Sequence, residues 1–120
     1  IDERVEVFER TNAMHWDPPE PLEGAVIDVG WTKQEKIIPH AHTIVKQGGG
    51  IISLFKPQYE AKQEQMIKGV VPEPEVEHIL KKTLDALAVQ GYSADSYARS
   101  PLRGGSKGKG NIEYFLLFTV

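Results

Sequence analysis

Two short apolar runs limit what this chain can fold into. Ala25-Val26-Ile27-Asp28-Val29 and Gly50-Ile51-Ile52-Ser53-Leu54-Phe55 are too short for helices and rich in β-branched residues, the pattern of buried strands. Between them Ile37, Ile38, Ala41, Ile44 and Val45 recur at helical spacing. Thr32 and Glu35 precede that stretch three residues apart, as in a capping box, where each side chain satisfies a backbone N–H at the helix start. The spacing predicts a helix from there, kinked or restarted at Pro39 and closed by Gly48 in a left-handed conformation. Strand, helix, strand implies a crossover and a parallel sheet of the α/β class.

Downstream, residues 57–72 read as a long connection dominated by Gln, Glu and Lys, with Met66, Val70 and Val71 as its only anchors. Connections of that length usually serve as lids or binding segments. Val76, Ile79, Leu80, Leu84, Leu87 and Ala88 mark an amphipathic helix over 73–90, with Pro74 in its first turn and Gly91 past its end. Residues 92–98 alternate like a strand, 99–111 form a polar loop, and 112–118 are a strongly apolar strand. The last two strands are expected to pair antiparallel. Val5-Glu6-Val7-Phe8 also reads as a strand.

With 120 residues there is room for one domain. Apolar residues are 40% and charged residues 26% of the chain, enough to bury a core and unlike a disordered segment. A net charge of −3 excludes coating nucleic acid through bulk positive charge, so any RNA contact must be local. There is no cysteine, which removes disulfides and thiolate chemistry and fits a reducing compartment; the cytoplasm is expected. No apolar run approaches the roughly 20 residues of a membrane helix, and Ile1-Asp2-Glu3-Arg4 is no signal peptide. Without an initiator Met the chain reads as processed or as a piece of something longer.

Taken in order, Glu9-Arg10-Thr11-Asn12-Ala13, Asp28-Val29, Lys56-Pro57-Gln58-Tyr59-Glu60-Ala61, Lys68-Gly69-Val70-Val71, Ser100-Pro101 and Gly110-Asn111-Ile112-Glu113 form a recognisable series. It resembles the TlyA branch of the FtsJ-like RNA 2′-O-methyltransferases over nearly the whole chain. The Lys-Pro-Gln-aromatic-Glu-Ala string is its most specific part. The resemblance implies the C-terminal portion of a Rossmann-like methyltransferase domain: a partial, mostly parallel sheet with its last strand antiparallel and helices flanking it. It implies an S-adenosylmethionine-dependent enzyme that methylates ribose 2′-hydroxyls in ribosomal RNA as part of a larger protein.

The family's proposed active site is a Lys-Asp-Lys-Glu tetrad, and by motif Asp28, Lys56 and Glu113 match its last three members. The first lysine belongs to an N-terminal part with no counterpart here. By the same resemblance Asn12 and Asp28 are candidate cofactor contacts. Two departures concern the RNA-facing surface: Gly30-Trp31 stands where the family usually has Ser-Phe, and the loop before Asn111 is longer, with Lys107 and Lys109 added.

Methyl transfer to an alcohol is an in-line displacement, so the site must align donor and acceptor and help the hydroxyl lose its proton. A lysine serves as base only when neutral, a state that desolvation favours and neighbouring carboxylates oppose. Lys56 is therefore the candidate contact to the 2′-hydroxyl, with Asp28 and Glu113 orienting it. Outside this string a strand-end lysine would be a solvated terminus, and Glu113 an ordinary strand residue. Asp28 interrupts an apolar run, and a carboxylate avoids burial unless paired.

Arg99, Arg103, Lys107 and Lys109 among glycines are candidate phosphate contacts, or incidental charge on a loop. Trp16, Trp31 and Tyr59 could stack on a base, although packing is the expected role for the tryptophans. His40 and His42, two apart on a helix, point in different directions and lack a third ligand, so a surface role is expected and no metal site.

Family members open with a strand and an Asp-x-Gly-type cofactor loop, and neither is present. Gly48-Gly49-Gly50 precedes a strand, whereas a cofactor loop follows one, so it reads as a cap and turn. The resemblance places two further strands between residues 5–8 and 25–29. Without them a sheet edge and face would lie open to the missing N-terminal part or to a second copy. Two functional readings follow: part of a larger rRNA methyltransferase, or a noncatalytic RNA-binding or structural remnant that has lost the cofactor site. A methyltransferase for small molecules is disfavoured by the Lys, Asp and Glu set.

Overall fold

The computed structural model describes residues 2–105 and 108–120. Its elements are β1 (Leu22–Ile27), α1 (Gln34–Ile44), β2 (Val45–Phe55), α2 (Pro57–Glu60), α3 (Glu73–Val89), β3 (Ser96–Arg103) and β4 (Ile112–Thr119), with 3-10 turns at Ala13–His15 and Gln63–Gln65. One sheet has the order β1-β2-β4-β3. β1 and β2 pair parallel, and β4 pairs antiparallel with both β2 and β3. Three strands thus share one direction and the last runs against them, the α/β arrangement expected.

β2 alternates strictly near its end: Ile51, Ser53 and Phe55 are buried, while Ile52 and Leu54 turn to the other face. On the buried face they meet Ile112, Leu116 and Phe118 of β4, Ile37, Ile38 and Ala41 of α1, and Val76, Ile79, Leu80 and Leu87 of α3. Both long helices pack on this one face. α3 buries positions separated by three or four residues, as an amphipathic helix must. It ends where Gly91 adopts φ 95°. The Gly91 and Tyr92 N–H groups donate to the Ala88 and Leu87 carbonyls, a Schellman closure that only a left-handed residue allows cheaply.

Among the described residues no helix packs on the opposite face. Val26, Ile52, Phe115 and Leu117 are all exposed there, Val26 by 83%. The outer edge of β1 pairs with no strand among the described residues. No helix among them is long and apolar enough to cross a membrane.

Several local expectations are corrected. Residues 5–8 form no strand; they are exposed and without a strand to pair with, and Phe8 packs instead on Trp16 at 5.3 Å. α1 starts one residue past Lys33, without a side-chain cap from its own chain start, and Thr32 donates to the Gly30 carbonyl. Pro39 sits inside α1 without ending it. The glycine triplet is neither cap nor cofactor loop: β2 begins at Val45, and Leu22↔Val45 is followed by Gly24↔Gly50, so residues 46–49 bulge out. A Cβ on Gly49 would stand 2.6 Å from the Glu23 carbonyl oxygen, which explains the glycine. β3 continues to Arg103, so the polar loop is shorter than the composition implied. Residues 57–72 contain α2, a 3-10 turn and an Ile67↔Val70 bridge rather than open loop.

Candidate active site

The topology gathers three distant residues at one end of the sheet. Asp28 follows directly on β1 and Lys56 on β2, and both strands run the same way. β4 runs oppositely, so Glu113, its second residue, lies at that same end, one step beyond the Phe55↔Tyr114 pair. Strand alternation sets Lys56 and Glu113 on the face of Ile52, Leu54, Phe115 and Leu117. The cluster therefore caps the bare face at the carboxyl ends of the parallel strands, where open α/β sheets place ligands.

Lys56 Nζ forms an ion pair with Asp28 Oδ1, the lysine side chain 20% exposed and the aspartate 66%. Asp28 is thus solvated at a strand end and not buried in a strand. Glu113 is 9% exposed. Burial pushes its carboxyl above the ordinary value; the Lys56 charge pulls it down and the Asp28 charge raises it further. A Cβ on Gly104 would come within 2.7 Å of Glu113 Oε1, so only glycine there leaves this carboxylate its place.

Because the Glu113 pKa is raised, the folded state binds its proton more readily than the unfolded chain does. That contribution is present below the unfolded value of 4.5 and is lost as pH rises through the folded one. Glu113→Gln is therefore expected to melt at a higher temperature than the parent at pH 7, with the gap closing below that value. Thermal melts across pH check this, and equal melting at pH 7 contradicts it.

Two loops enclose the site. Asn111 is buried; its Oδ1 accepts the Val71 N–H at 2.8 Å and its Nδ2 donates to the Gly69 carbonyl at 3.1 Å, tying residues 69–71 to the start of β4. Trp31 lies in the β1–α1 connection at φ 61° and is 91% exposed. It leans on Tyr59 at 5.2 Å between ring centroids, and Lys56 Nζ stands 5.9 Å from the Tyr59 ring. Packing is the role of Trp16, which is half-buried beside Phe8, but not of Trp31. Its left-handed backbone, unusual for a bulky residue, was not legible in the sequence.

The remaining candidates are less concentrated. Arg99 and Arg103 lie on β3, where both pair with Glu73 at the start of α3, at 3.4 and 3.2 Å. Arg103 pairs in register with Ile112 and so neighbours Glu113. Lys109 is exposed, and Lys107 falls outside the described residues. Asn12 caps the first 3-10 turn, its Oδ1 accepting the Met14 N–H at 3.0 Å. His40 and His42 are half-buried rather than on the surface; His42 packs edge-on to Tyr92 at 4.8 Å, and burial lowers its pKa. No cluster of three metal-ligating side chains occurs among the described residues.

A cavity of about 380 Å³ opens beside β1, lined by Trp16, Val26, Asp28, Ile37 and His40 among others. Its wall is mostly apolar, and no glycine-rich turn follows a strand there.

No family model matches the chain. A putative rRNA methyltransferase of Bacillus subtilis (strain 168), YqxC, is 37% identical over 121 residues, covering 96% of this chain and 42% of that protein. The 16S/23S rRNA (cytidine-2′-O)-methyltransferase TlyA of Mycobacterium tuberculosis (strain H37Rv) is 32% identical over 126 residues, covering 96% and 44%. The crystal structure of a putative hemolysin from Lactococcus lactis superposes with a TM-score of 0.85 at 29% identity, over 98% of this chain and 58% of that one. A putative hemolysin from Streptococcus thermophilus gives 0.85 at 32%, over 98% and 44%. The chain spans less than half the length of the curated relatives it matches.

Proposed function

The chain belongs to the family of the TlyA-type rRNA methyltransferases, and from that premise we propose that it supplies the acceptor side of ribose 2′-O-methylation in ribosomal RNA. The observation that carries this reading is the meeting of Lys56, Asp28 and Glu113 at one sheet end, though they are far apart in sequence. Lys56 aims at the 2′-hydroxyl, Asp28 fixes the amine, and the hydroxyl proton leaves through this cluster of one amine and two carboxylates. S-adenosylmethionine supplies the methyl group in this reading, and the relatives have more than half of their length beyond the matched part to help hold it. The work is cytoplasmic, where the substrate is.

The exposed Trp31 and its neighbour Tyr59 stand beside Lys56, so a target base swung out of its stack can lie against them while its ribose faces the amine. Lys109 and Arg103 at the same end are the candidate phosphate contacts, Arg103 in exchange for part of its pairing with Glu73. Base-on-aromatic stacking contributes about 1–3 kcal/mol per base, so Trp31→Ala is expected to weaken binding of a target rRNA fragment by about 5- to 150-fold. Trp31→Phe should retain most of the affinity. Fluorescence anisotropy measures this, and unchanged affinity in the alanine variant removes the platform.

The exposed Trp31 beside Tyr59 also suits a second reading, in which the fold binds RNA without catalysis. The two part on one measurement: methyl incorporation into ribosomal RNA by the protein at the full length of its relatives. Incorporation supports the enzyme, and its absence with intact RNA binding supports the remnant.

A further inference from the structure

We infer that Gln34, Ser53 and Glu60 form a positioning network that holds the turn carrying Lys56 and Tyr59. Gln34 is 3% exposed and Ser53 fully buried. Ser53 Oγ donates to Gln34 Oε1 at 2.7 Å, and Gln34 Nε2 donates to the Leu54 carbonyl at 3.2 Å. The backbone N–H of the same Gln34 donates to Glu60 Oε1 at 2.8 Å. One residue thus grips the chain just before Lys56 and again four residues after it. The segment between has both ends fixed, and Pro57, buried at the first position of α2, sets its backbone.

The network also explains how α1 begins. Its N-cap residue, Lys33, makes no side-chain cap, and the first helical N–H would be left unpaired without Glu60. A carboxylate at that end complements the helix dipole. Burial pushes the Glu60 carboxyl up, while the Gln34 N–H and the charge of Lys33 pull it down and Glu35 raises it. A half-buried acid that touches neither Lys56 nor Asp28 acts on them through the backbone it holds.

This inference rests on the role proposed for Lys56, so its test has a readout independent of methylation. Amide hydrogen exchange in the whole protein without RNA reports on Tyr59 and Ala61, whose N–H groups bond to the Lys56 and Pro57 carbonyls. In Glu60→Ala these two amides are expected to exchange about tenfold faster, with Leu80, Thr83 and Leu87 of α3 unchanged. Methyl transfer should lose about 10- to 100-fold in kcat, with little change in KM for RNA. Glu60→Gln, which keeps an acceptor oxygen, should restore both. Ser53→Ala removes the link to the Gln34 side chain while leaving the Glu60 carboxylate on the first N–H of α1, and should speed the same two amides if Glu60→Ala does not fold. Unchanged exchange at Tyr59 and Ala61, exchange accelerated equally in α3, or a loss confined to KM each overturns the inference. A parent protein with no methyl transfer overturns the proposed function, while the exchange data still decide the network.

Discussion

Lys56→Ala is expected to reduce methyl transfer to ribosomal RNA by at least about 10²- to 10⁴-fold, the range that a positioned acid–base group contributes, with the fold intact. The expectation of an intact fold comes from where the residue sits. Lys56 lies past the end of β2 and outside the apolar core. Its partner Asp28 is largely solvated, so losing the amine strands no buried aspartate charge. With one partner in solvent, the pair itself contributes about 1 kcal/mol. The remaining cost falls on Glu113, whose buried carboxyl loses the cation that pulls its pKa down and so moves further up. Lys56→Arg is expected to fail as well, because a guanidinium does not give up its proton and is shaped as a fork rather than a point. Methyl incorporation beside a thermal melt checks both variants. An alanine variant with parental turnover would remove Lys56 from the chemistry, and one that melts early would make it structural.

The residues that sequence reasoning placed well are those whose roles follow from local spacing. α3 shows its three- and four-residue repeat, its proline-bearing first turn and its terminal glycine, and the fold uses all three. β4 is apolar enough to admit one reading, and Lys56 and Glu113 stand where two strand ends had to meet. The failures share a different cause. Thr32 and Glu35 satisfy the capping pattern, yet the cap comes from Glu60, 26 residues from Gln34. Val5, Val7 and Phe8 have the composition of a strand, but a strand needs a neighbour. The pairing of Arg99 and Arg103 with Glu73 was likewise hidden, because Glu73 is distant along the chain and near only in the fold. In each case a partner outside the local window decided the outcome.

Charging the bare sheet face is the other substitution with a large expected effect, and its size depends on what lies over that face. Ile52 and Leu117 are exposed in these 120 residues, so Ile52→Asp is expected to cost this chain alone only about 1 kcal/mol, the span of strand propensity on an inner strand. We expect further polypeptide to cover the face in a protein of the relatives' length, which is more than twice that of the matched part. There the same aspartate would be buried without a partner, at a cost of several kcal/mol. The argument for that occupant is the continuity of the row: Ile52, Leu54 and Lys56 follow one another on one face, so whatever seals the apolar part also roofs the catalytic end. In the proposed reading, a further lysine and contacts to S-adenosylmethionine would arrive with it. Comparative melts of the two lengths decide the matter. A large loss only in the longer protein supports the cover, and equal small effects oppose it. A 120-residue chain that self-associates, and becomes monomeric with Ile52→Asp in sedimentation, would show that a second copy takes the face instead.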